Sequence, residues 1–385
     1  MVVARNMDLE PIMEQPFDMS NLGAMLQQLG AMMQRTVPEG GIDWEGVRQA
    51  ARATIAQQPD PSVVGAERDR VRAASELAQL WLDGATGLAA PSLQSAAWSR
   101  SEWLEGTFEA WKGFLQPIAL SMERGVTETI AAQDLPQEAQ AMLGPMLAIA
   151  GRLASVMAAQ QVGQALGTLA RDSWSTSDVG LPLAGSGVTA LVTANTANFA
   201  EQNGLDLRDL ETYLALREAA TQRLFHAAPW LAARIRDSIA EYANGVHIDS
   251  GRLQELIGEL DLQDPAALQS ALAVGGLELP MTAGQSSAIA RVELLITLIE
   301  GWVDHVVEAA HGGRIGSAGV IREALRRRRA TGGPAERTFA QLLSLELRPR
   351  KLREASEYWA AMDADARDAA WRHPDFLPSS LDEIS

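Results

Sequence analysis

Apolar side chains recur every three or four residues along most of this chain, which is the spacing of one face of an α-helix. Pro61–Leu82 and Gln285–Ala310 show the pattern most clearly, and the whole stretch from Trp44 to Ala170 follows it. Val188–Asn195 differs, because it is rich in residues that favour strands and is bounded by turn residues. The sequence therefore predicts a mainly α fold, with one small β element before the helix that contains Tyr213.

The chain of 385 residues divides into three predicted parts. Residues 1–41 are expected to form a flexible leader with a short amphipathic helix, because methionine and leucine recur at helical spacing within Asn21–Gln34. Residues 42–170 are expected to form a helical N-terminal region. Residues 171–385 are expected to form the C-terminal region and to pack on the N-terminal region as one compact unit.

Charge and cysteine content exclude several classes of function. The formal net charge is -17, whereas a nucleic-acid binder needs a basic face, so we expect no nucleic-acid partner. The absence of cysteine removes thiolate catalysis and cysteine-based metal sites. The most apolar stretch, Met142–Ala170, contains Arg152 and several glutamines, so we predict no membrane span. We expect a cytoplasmic protein.

One motif points to chemistry. In the pattern H-E-x-x-H, two histidines one helical turn apart bind zinc, and the glutamate acts as general base. The segment Tyr213–Phe225 reads YLALREAATQRLF and has the glutamate, Glu218, at the right spacing. Arg217 and Thr221 stand at the two ligand positions.

Longer blocks around this motif resemble a known family. The chain is similar to the zincin-like family of actinobacterial proteins labelled putative hydrolases, which are metalloprotease-like and include relatives associated with deazaflavin-coenzyme biosynthesis. The similarity covers roughly Gly163–Pro378. It is carried by the blocks GQALGTLARDSWSTSDVGLP, VTANTANFAEQNGLDLRDLETYLALREAATQRLFHAAPWL, LLITLIEGWVDHVVEAA, LRPRKLREASEYW and WRHPDFLP. The resemblance implies a zincin-like helical core.

The resemblance also assigns residues to a metal site. Members that resemble active zincins read L-H-E-x-x-H on the first helix and E-G-H on a later helix. By that resemblance Glu218 is the ancestral general base, and the later motif corresponds to Glu300, Gly301 and Trp302. All three histidine positions have changed, to Arg217, Thr221 and Trp302. Because neither an arginine nor a tryptophan ligates zinc, we expect no bound metal and no other cofactor.

Two functions follow, and the sequence leaves both open. The first is a non-catalytic zincin-like protein, with Glu218 vestigial, that acts by binding a protein or ligand in the ancestral cleft. The second is a metal-dependent hydrolase, a metallopeptidase of the same family, that binds zinc through relocated ligands. Glu218, Glu300, Asp304 and one of the five histidines are the candidates for that relocated site, since Glu300 and Asp304 share a helix face.

Arginines raise two further alternatives. The guanidinium of Arg217 either bridges Glu218 and Glu300, in place of the lost metal charge, or points to solvent. The basic cluster Arg322–Arg329 either receives a phosphate or an acidic partner, or forms a solvated helix face paired with acids such as Glu323 and Glu354.

Overall fold

Helices dominate the computed structural model, which describes residues 41–131, 137–245, 281–330 and 351–384 and confirms the mainly α prediction. The described residues belong to one compact unit, 39–385. The predicted leader helix and residues 331–350 lie outside the described ranges. The elements in chain order are α1 (Trp44–Ile55), α2 (Gly65–Leu82), β1 (Gln94–Trp98), α3 (Arg100–Ala131), α4 (Gln137–Asp172), β2 (Val188–Val192), α5 (Thr193–Asn203), α6 (Leu207–Ala227), α7 (Trp230–Asn244), α8 (Ala283–His311), α9 (Ala318–Ala330), α10 (Leu352–Ala360) and α11 (Ala364–Ala369).

Three short 3₁₀ turns follow α11 and carry the chain to its described end. They span Ala370–Arg372, Pro374–Phe376 and Leu381–Ile384. Within the described ranges, no helix is long and apolar enough to cross a membrane.

The β element is a two-stranded parallel sheet. The predicted strand is present as β2, and it pairs with β1 in a register that places Gln94 opposite Val188 and Trp98 opposite Val192. The expectation that residues 44–170 are helical throughout is therefore wrong at β1. Five residues are too few for a periodic pattern, and β1 is defined by its backbone pairing with a strand about ninety positions later.

Helix α6 lies near the centre of the molecule and positions the motif residues. Its N-terminus is capped by Asp206, whose side chain accepts a hydrogen bond from the Asp209 amide. Gln222 fixes the other end to the sheet, because its amide donates to the Val188 carbonyl at 3.1 Å. Most of the α6 side chains are buried. α6 therefore lies in the core, although charged residues such as Glu218 and Arg223 are among its buried side chains.

Helix α8 is the second element of the site and packs against α6, α7 and α10. A capping box formed by Thr282 and Gln285 starts it, and Gly312 in a left-handed conformation ends it. Gly301, in the middle of α8, allows the close approach of α10. A Cβ atom built at Gly301 would lie 2.5 Å from the Cβ of Ala355.

Candidate functional site

The two motif helices bring their changed positions together. The side chain of Arg217 on α6 forms a hydrogen bond and ion pair with Glu300 on α8. Both side chains are largely buried, with 16% of Arg217 and 6% of Glu300 exposed. Because the guanidinium cannot be deprotonated in a protein, it is a permanent positive charge beside this carboxylate. The solvent-facing alternative for Arg217 is therefore wrong.

Glu218 has different partners from those of Arg217. Its carboxylate accepts hydrogen bonds from the hydroxyls of Thr176 and Ser177, and from the Ser177 backbone amide at 2.7 Å. The side chain is fully buried. Burial raises the pKa of the Glu218 carboxyl above its ordinary value, and the hydrogen bonds from Ser175, Ser177 and Thr176 reduce that shift without reversing it. Both oxygens of Glu218 are thus bound by the chain itself.

Sheet hydrogen bonds fix the segment 175–177 that binds Glu218. The Thr176 amide donates to the Ala190 carbonyl of β2 at 3.2 Å, and Ser175 bridges Leu191 in antiparallel fashion. The indole of Trp103 donates to the Ser175 carbonyl at 2.8 Å. These bonds place the two hydroxyls over Glu218 before any ligand is present.

A glycine then turns the chain beside the second glutamate. Gly180 has φ +77°, a conformation that side chains other than glycine rarely adopt. A Cβ built there would lie 2.9 Å from the Oε1 atom of Glu300. The loop that binds Glu218 therefore also packs directly on Glu300.

The other two positions that the resemblance assigns to zinc ligands, Thr221 and Trp302, are inside the core. Thr221 is buried, and its hydroxyl donates to the Arg217 carbonyl of its own helix at 2.9 Å. Trp302 is fully buried and meets Trp371 edge to face, with 6.5 Å between ring centroids. Thr221 thus hydrogen-bonds within its own helix, and Trp302 is part of an aromatic core.

Asp304 binds arginines of α9. Its carboxylate accepts two hydrogen bonds of 3.1 Å and one of 2.6 Å from Arg322, and one of 2.7 Å from Arg326. Burial alone would raise the pKa of Asp304. The hydrogen bonds from Arg322 and the positive charge of Arg217 outweigh burial, so the pKa of this carboxyl lies below its ordinary value. Asp304 is therefore a charged residue at neutral pH.

The basic cluster faces inward more than predicted. Besides Arg322 and Arg326, Arg328 stacks on Trp174 with 3.6 Å from its guanidinium carbon to the ring centroid. It also donates to the Asp172 carbonyl at 2.6 Å. Only part of the predicted solvated face is present: Arg327 is mostly exposed and pairs with Glu323. These arginine side chains face inward because buried carboxylates lie beneath α9, and an unpaired buried charge is costly.

Comparison with known proteins identifies the architecture. A family model described as zincin-like metallopeptidase matches residues 42–384. The chain belongs to this family. A crystal structure of a putative hydrolase with a novel fold, from Chloroflexus aurantiacus, is similar with a TM-score of 0.60 and 22% sequence identity. The similarity covers 89% of this chain and 95% of that one, and at this identity it shows the fold alone. No curated protein matches the sequence.

The zincin-like assignment confirms the resemblance and raises the question of zinc. A catalytic zinc site uses three nitrogen, sulfur or oxygen ligands and keeps one position open. The three positions that the resemblance assigns to histidine ligands, Arg217, Thr221 and Trp302, offer no good zinc donor. The carboxylate of the neighbouring Glu300 is bound to Arg217. No group of three His, Cys, Asp or Glu side chains within the described ranges is arranged to hold a metal ion. The donor set of this site does not fit zinc.

The histidines of this zincin-like chain lie away from the two motif glutamates where they are described. His311 is buried at the end of α8, with its Nε2 atom 3.1 Å from Glu308 and its Nδ1 atom accepting from the Gly313 amide. His305 is half-buried, and burial lowers the pKa of its imidazole. The three carboxylates proposed for a relocated site, Glu218, Glu300 and Asp304, each have separate partners.

The sequence did not predict the residues that bind Glu218 and Asp304. Thr176 and Ser177 lie in a block that only carries the family resemblance, and Arg322 and Arg326 were predicted in a cluster that either binds an anion or forms a solvated face. The sequence does contain a signal for the arginines. Three acids stand at helical spacing on α8, Glu300, Asp304 and Glu308, and acids require positive partners when they are buried. No comparable local signal links the hydroxyls to Glu218.

Proposed function

We propose that this chain is a non-catalytic member of the zincin-like metallopeptidase family that acts by binding a protein or ligand. The observation that carries the proposal is the state of Glu218, which is fully buried and bound through both oxygens to Thr176 and Ser177. A general base must lie within hydrogen-bond reach of the proton that it removes. Here the protein's own hydroxyls take that place.

Electrostatics supports the same proposal. In an active zincin the glutamate polarises a water molecule that a metal ion has made acidic. Arg217 stands at the first ligand position, and its fixed positive charge opposes the approach of a second cation. With no suitable donor at Thr221 or Trp302, the chain lacks the means to activate water by this route.

Binding is the function that remains, because the surface of a zincin-like fold can bind a partner without a metal ion. The acidic surface, with a net charge of -17, argues for a partner other than nucleic acid. The absence of cysteine suits a reducing compartment, so we place this activity in the cytoplasm.

Metal content and hydrolysis test the non-catalytic half of the proposal. The purified full-length chain is analysed for zinc and assayed on mixed peptides with and without added Zn²⁺, beside Glu218→Gln. We expect substoichiometric zinc and equal background hydrolysis for the two proteins. One zinc per chain, with hydrolysis that Glu218→Gln abolishes, would overturn the proposal.

Binding is tested with a purified partner. Proteins cross-linked to the tagged full chain in cells are identified, purified and titrated against it, and hydrogen exchange then locates the protected segments. We expect saturable one-to-one binding that protects α6 or α8. If no candidate, protein or metabolite, binds the purified chain saturably, the binding half of the proposal is wrong.

A further inference from the structure

We propose that the Arg217 guanidinium is a resident cation that takes over the structural task of a metal ion, cross-linking α6 to α8 without a cofactor. The inference rests on the proposed function, since it assumes that wild-type protein binds no zinc at this position. It adds a physical role for the change at Arg217: the substitution removes a ligand and at the same time supplies the positive charge that Glu300 requires.

The first argument is that the buried carboxylate of Glu300 needs a positive partner. Glu300 is 5% exposed, and a carboxylate so deeply buried needs a compensating charge. A metal ion or a guanidinium can each provide it. Arg217 and Glu300 are 83 positions apart in sequence, so their ion pair joins two helices that no short loop connects.

Side-chain length carries the second step. A zinc ion between an imidazole nitrogen and a carboxylate oxygen would hold those two atoms roughly 3.3 Å apart, because each bond to zinc is about 2 Å long and the geometry is tetrahedral. Arginine is longer than histidine and ends in several donors. The Arg217 side chain can therefore span the gap that an imidazole plus an ion would fill, with little change in helix spacing.

Two buried hydroxyls near the pair carry the third step. Tyr213 precedes Arg217 by one turn of α6, and Thr297 precedes Glu300 by one turn of α8. Both side chains are fully buried, and neither hydroxyl has a hydrogen-bond partner in the described part of the chain. Buried polar groups are nearly always satisfied, so such orphans need a reason. They are expected where a polar site has lost a group that once organised it.

Reversing the exchange tests the inference directly. The double substitution R217H/T221H places two imidazoles one helical turn apart on α6, the first of them at the position that pairs with Glu300, and Glu300 is the third ligand of the intended zinc set. We expect this variant to bind one zinc per chain and to gain roughly 5 °C in Tm when free Zn²⁺ is about 100 times its Kd. EDTA should reverse the gain, while the Tm of wild-type protein should respond to neither reagent.

Matched variants separate the site from adventitious binding. R217H/T221H/E300Q keeps both imidazoles but lacks the third ligand, so its Tm should not respond to zinc. R217A should have a lowered Tm that zinc does not restore. If R217H/T221H folds and its Tm is indifferent to zinc, or if the E300Q version responds equally, the inference is wrong.

A double-mutant cycle keeps the inference testable if the histidine variant does not fold. Arg217→Met keeps most of the side-chain length and Glu300→Gln keeps the shape, while each removes one charge. If the pair is a cross-link, the two Tm losses are coupled, and the double variant loses less than the sum of the singles. Additive losses would overturn the inference. Zinc-dependent hydrolysis by wild-type protein would instead overturn the proposed function.

Discussion

At the residue scale, the carboxylate of Glu218 is held by hydrogen-bond donors of the chain itself. A catalytic carboxylate must exchange a proton with a substrate or water, and therefore must be reachable. Glu218 is bound to the hydroxyl of Thr176 and to the hydroxyl and amide of Ser177 instead. Those bonds link α6 to the loop that precedes β2. Glu218 thus acts as a structural acceptor between these two elements.

The pH dependence of stability should report this state of Glu218. Because the pKa of its carboxyl is raised in the folded protein, the folded state binds the proton more tightly than the unfolded chain does. The free energy of unfolding should then fall as pH rises above the ordinary value of 4.5. The slope from one such group is at most about 1.4 kcal/mol per pH unit.

Glu218→Gln isolates that slope, because glutamine has no charge to titrate. We expect urea unfolding from about pH 5 to about pH 8 to show a smaller decline for the variant than for wild-type protein. Other buried acids contribute equally to both proteins and cancel in the difference. Parallel curves would mean that Glu218 titrates alike in the folded and unfolded states.

Asp304 should affect the pH dependence of stability in the opposite direction. Its pKa is lowered by Arg322 and the neighbouring guanidinium groups despite burial, so its stabilising contribution is present above its ordinary pKa of 3.8 and is lost as pH falls further. Asp304→Asn leaves two arginines facing a neutral amide. We expect a loss of about 3 kcal/mol at pH 7, measured by urea unfolding, which shrinks below about pH 4.

A surface aspartate provides the control for Asp304→Asn. Asp382 is 97% exposed and pairs with Lys351 at 3.3 Å. Exposed ion pairs contribute little, so Asp382→Asn should change stability by less than about 0.5 kcal/mol. Equal effects of the two substitutions would show that the Asp304 network stabilises no more than a surface pair.

The sequence left one half of the site as an open alternative and missed the other half for a physical reason. Arg217 was expected either to bridge Glu218 and Glu300 or to point to solvent, and the structure has the pair with Glu300. The same reasoning assigned Glu218 to Arg217. Glu218 instead binds hydroxyls 41 and 42 positions away. Hydroxyl groups give no charge pattern that a sequence could reveal.

At the scale of elements, glycine positions decide how closely helices approach. Gly163 and Gly167 on α4 face α1, and a Cβ built at Gly163 would lie 2.5 Å from the Val47 carbonyl oxygen. Backbone atoms cannot move aside as a flexible side chain does. Two small residues one helical turn apart allow such close helix packing, and the structure places α1 against them.

Gly163→Ala should therefore destabilise the protein by about 1–3 kcal/mol through overpacking. Gly151, on the same helix, has no atom within 4 Å of a built Cβ and is exposed. Gly151→Ala should stabilise by about 0.5–1 kcal/mol, because alanine is the better helix former. Thermal unfolding of the two variants would test the packing, and a stabilising Gly163→Ala would contradict it.

Helices were easier to predict than strands, because helices depend on nearby residues and strands depend on distant ones. The caps and the apolar face of α6 and α8 lie within the helices themselves, so the local sequence contains the information. The partner of β1 is β2, and only the fold brings them together. Elements that depend on distant pairing are poorly specified by a single sequence.

At the scale of the whole molecule, the C-terminal segment fastens the N-terminal region. Asp368 accepts hydrogen bonds from the Thr86 hydroxyl and the Gly87 amide, both at 2.7 Å. Its neighbour Arg367 donates to the Ala85 carbonyl at 2.8 Å and to Asp368 at 2.9 Å. Both side chains are buried, and the contacts span more than 280 positions. The turn after α2 is thus held by residues near the end of the described chain.

Asp368→Asn tests whether this connection stabilises the whole molecule or only the turn. The amide keeps one acceptor and turns donors toward donors, so we expect a loss of about 3 kcal/mol in urea unfolding followed by tryptophan fluorescence. A whole-molecule role predicts a lower midpoint with an unchanged m-value, because the same surface is still exposed in one transition. Asp375→Asn, on an 83% exposed side chain, is the matched control and should change neither. A second transition or a reduced m-value would instead mean that the turn unfolds alone, since local opening exposes less surface than global unfolding.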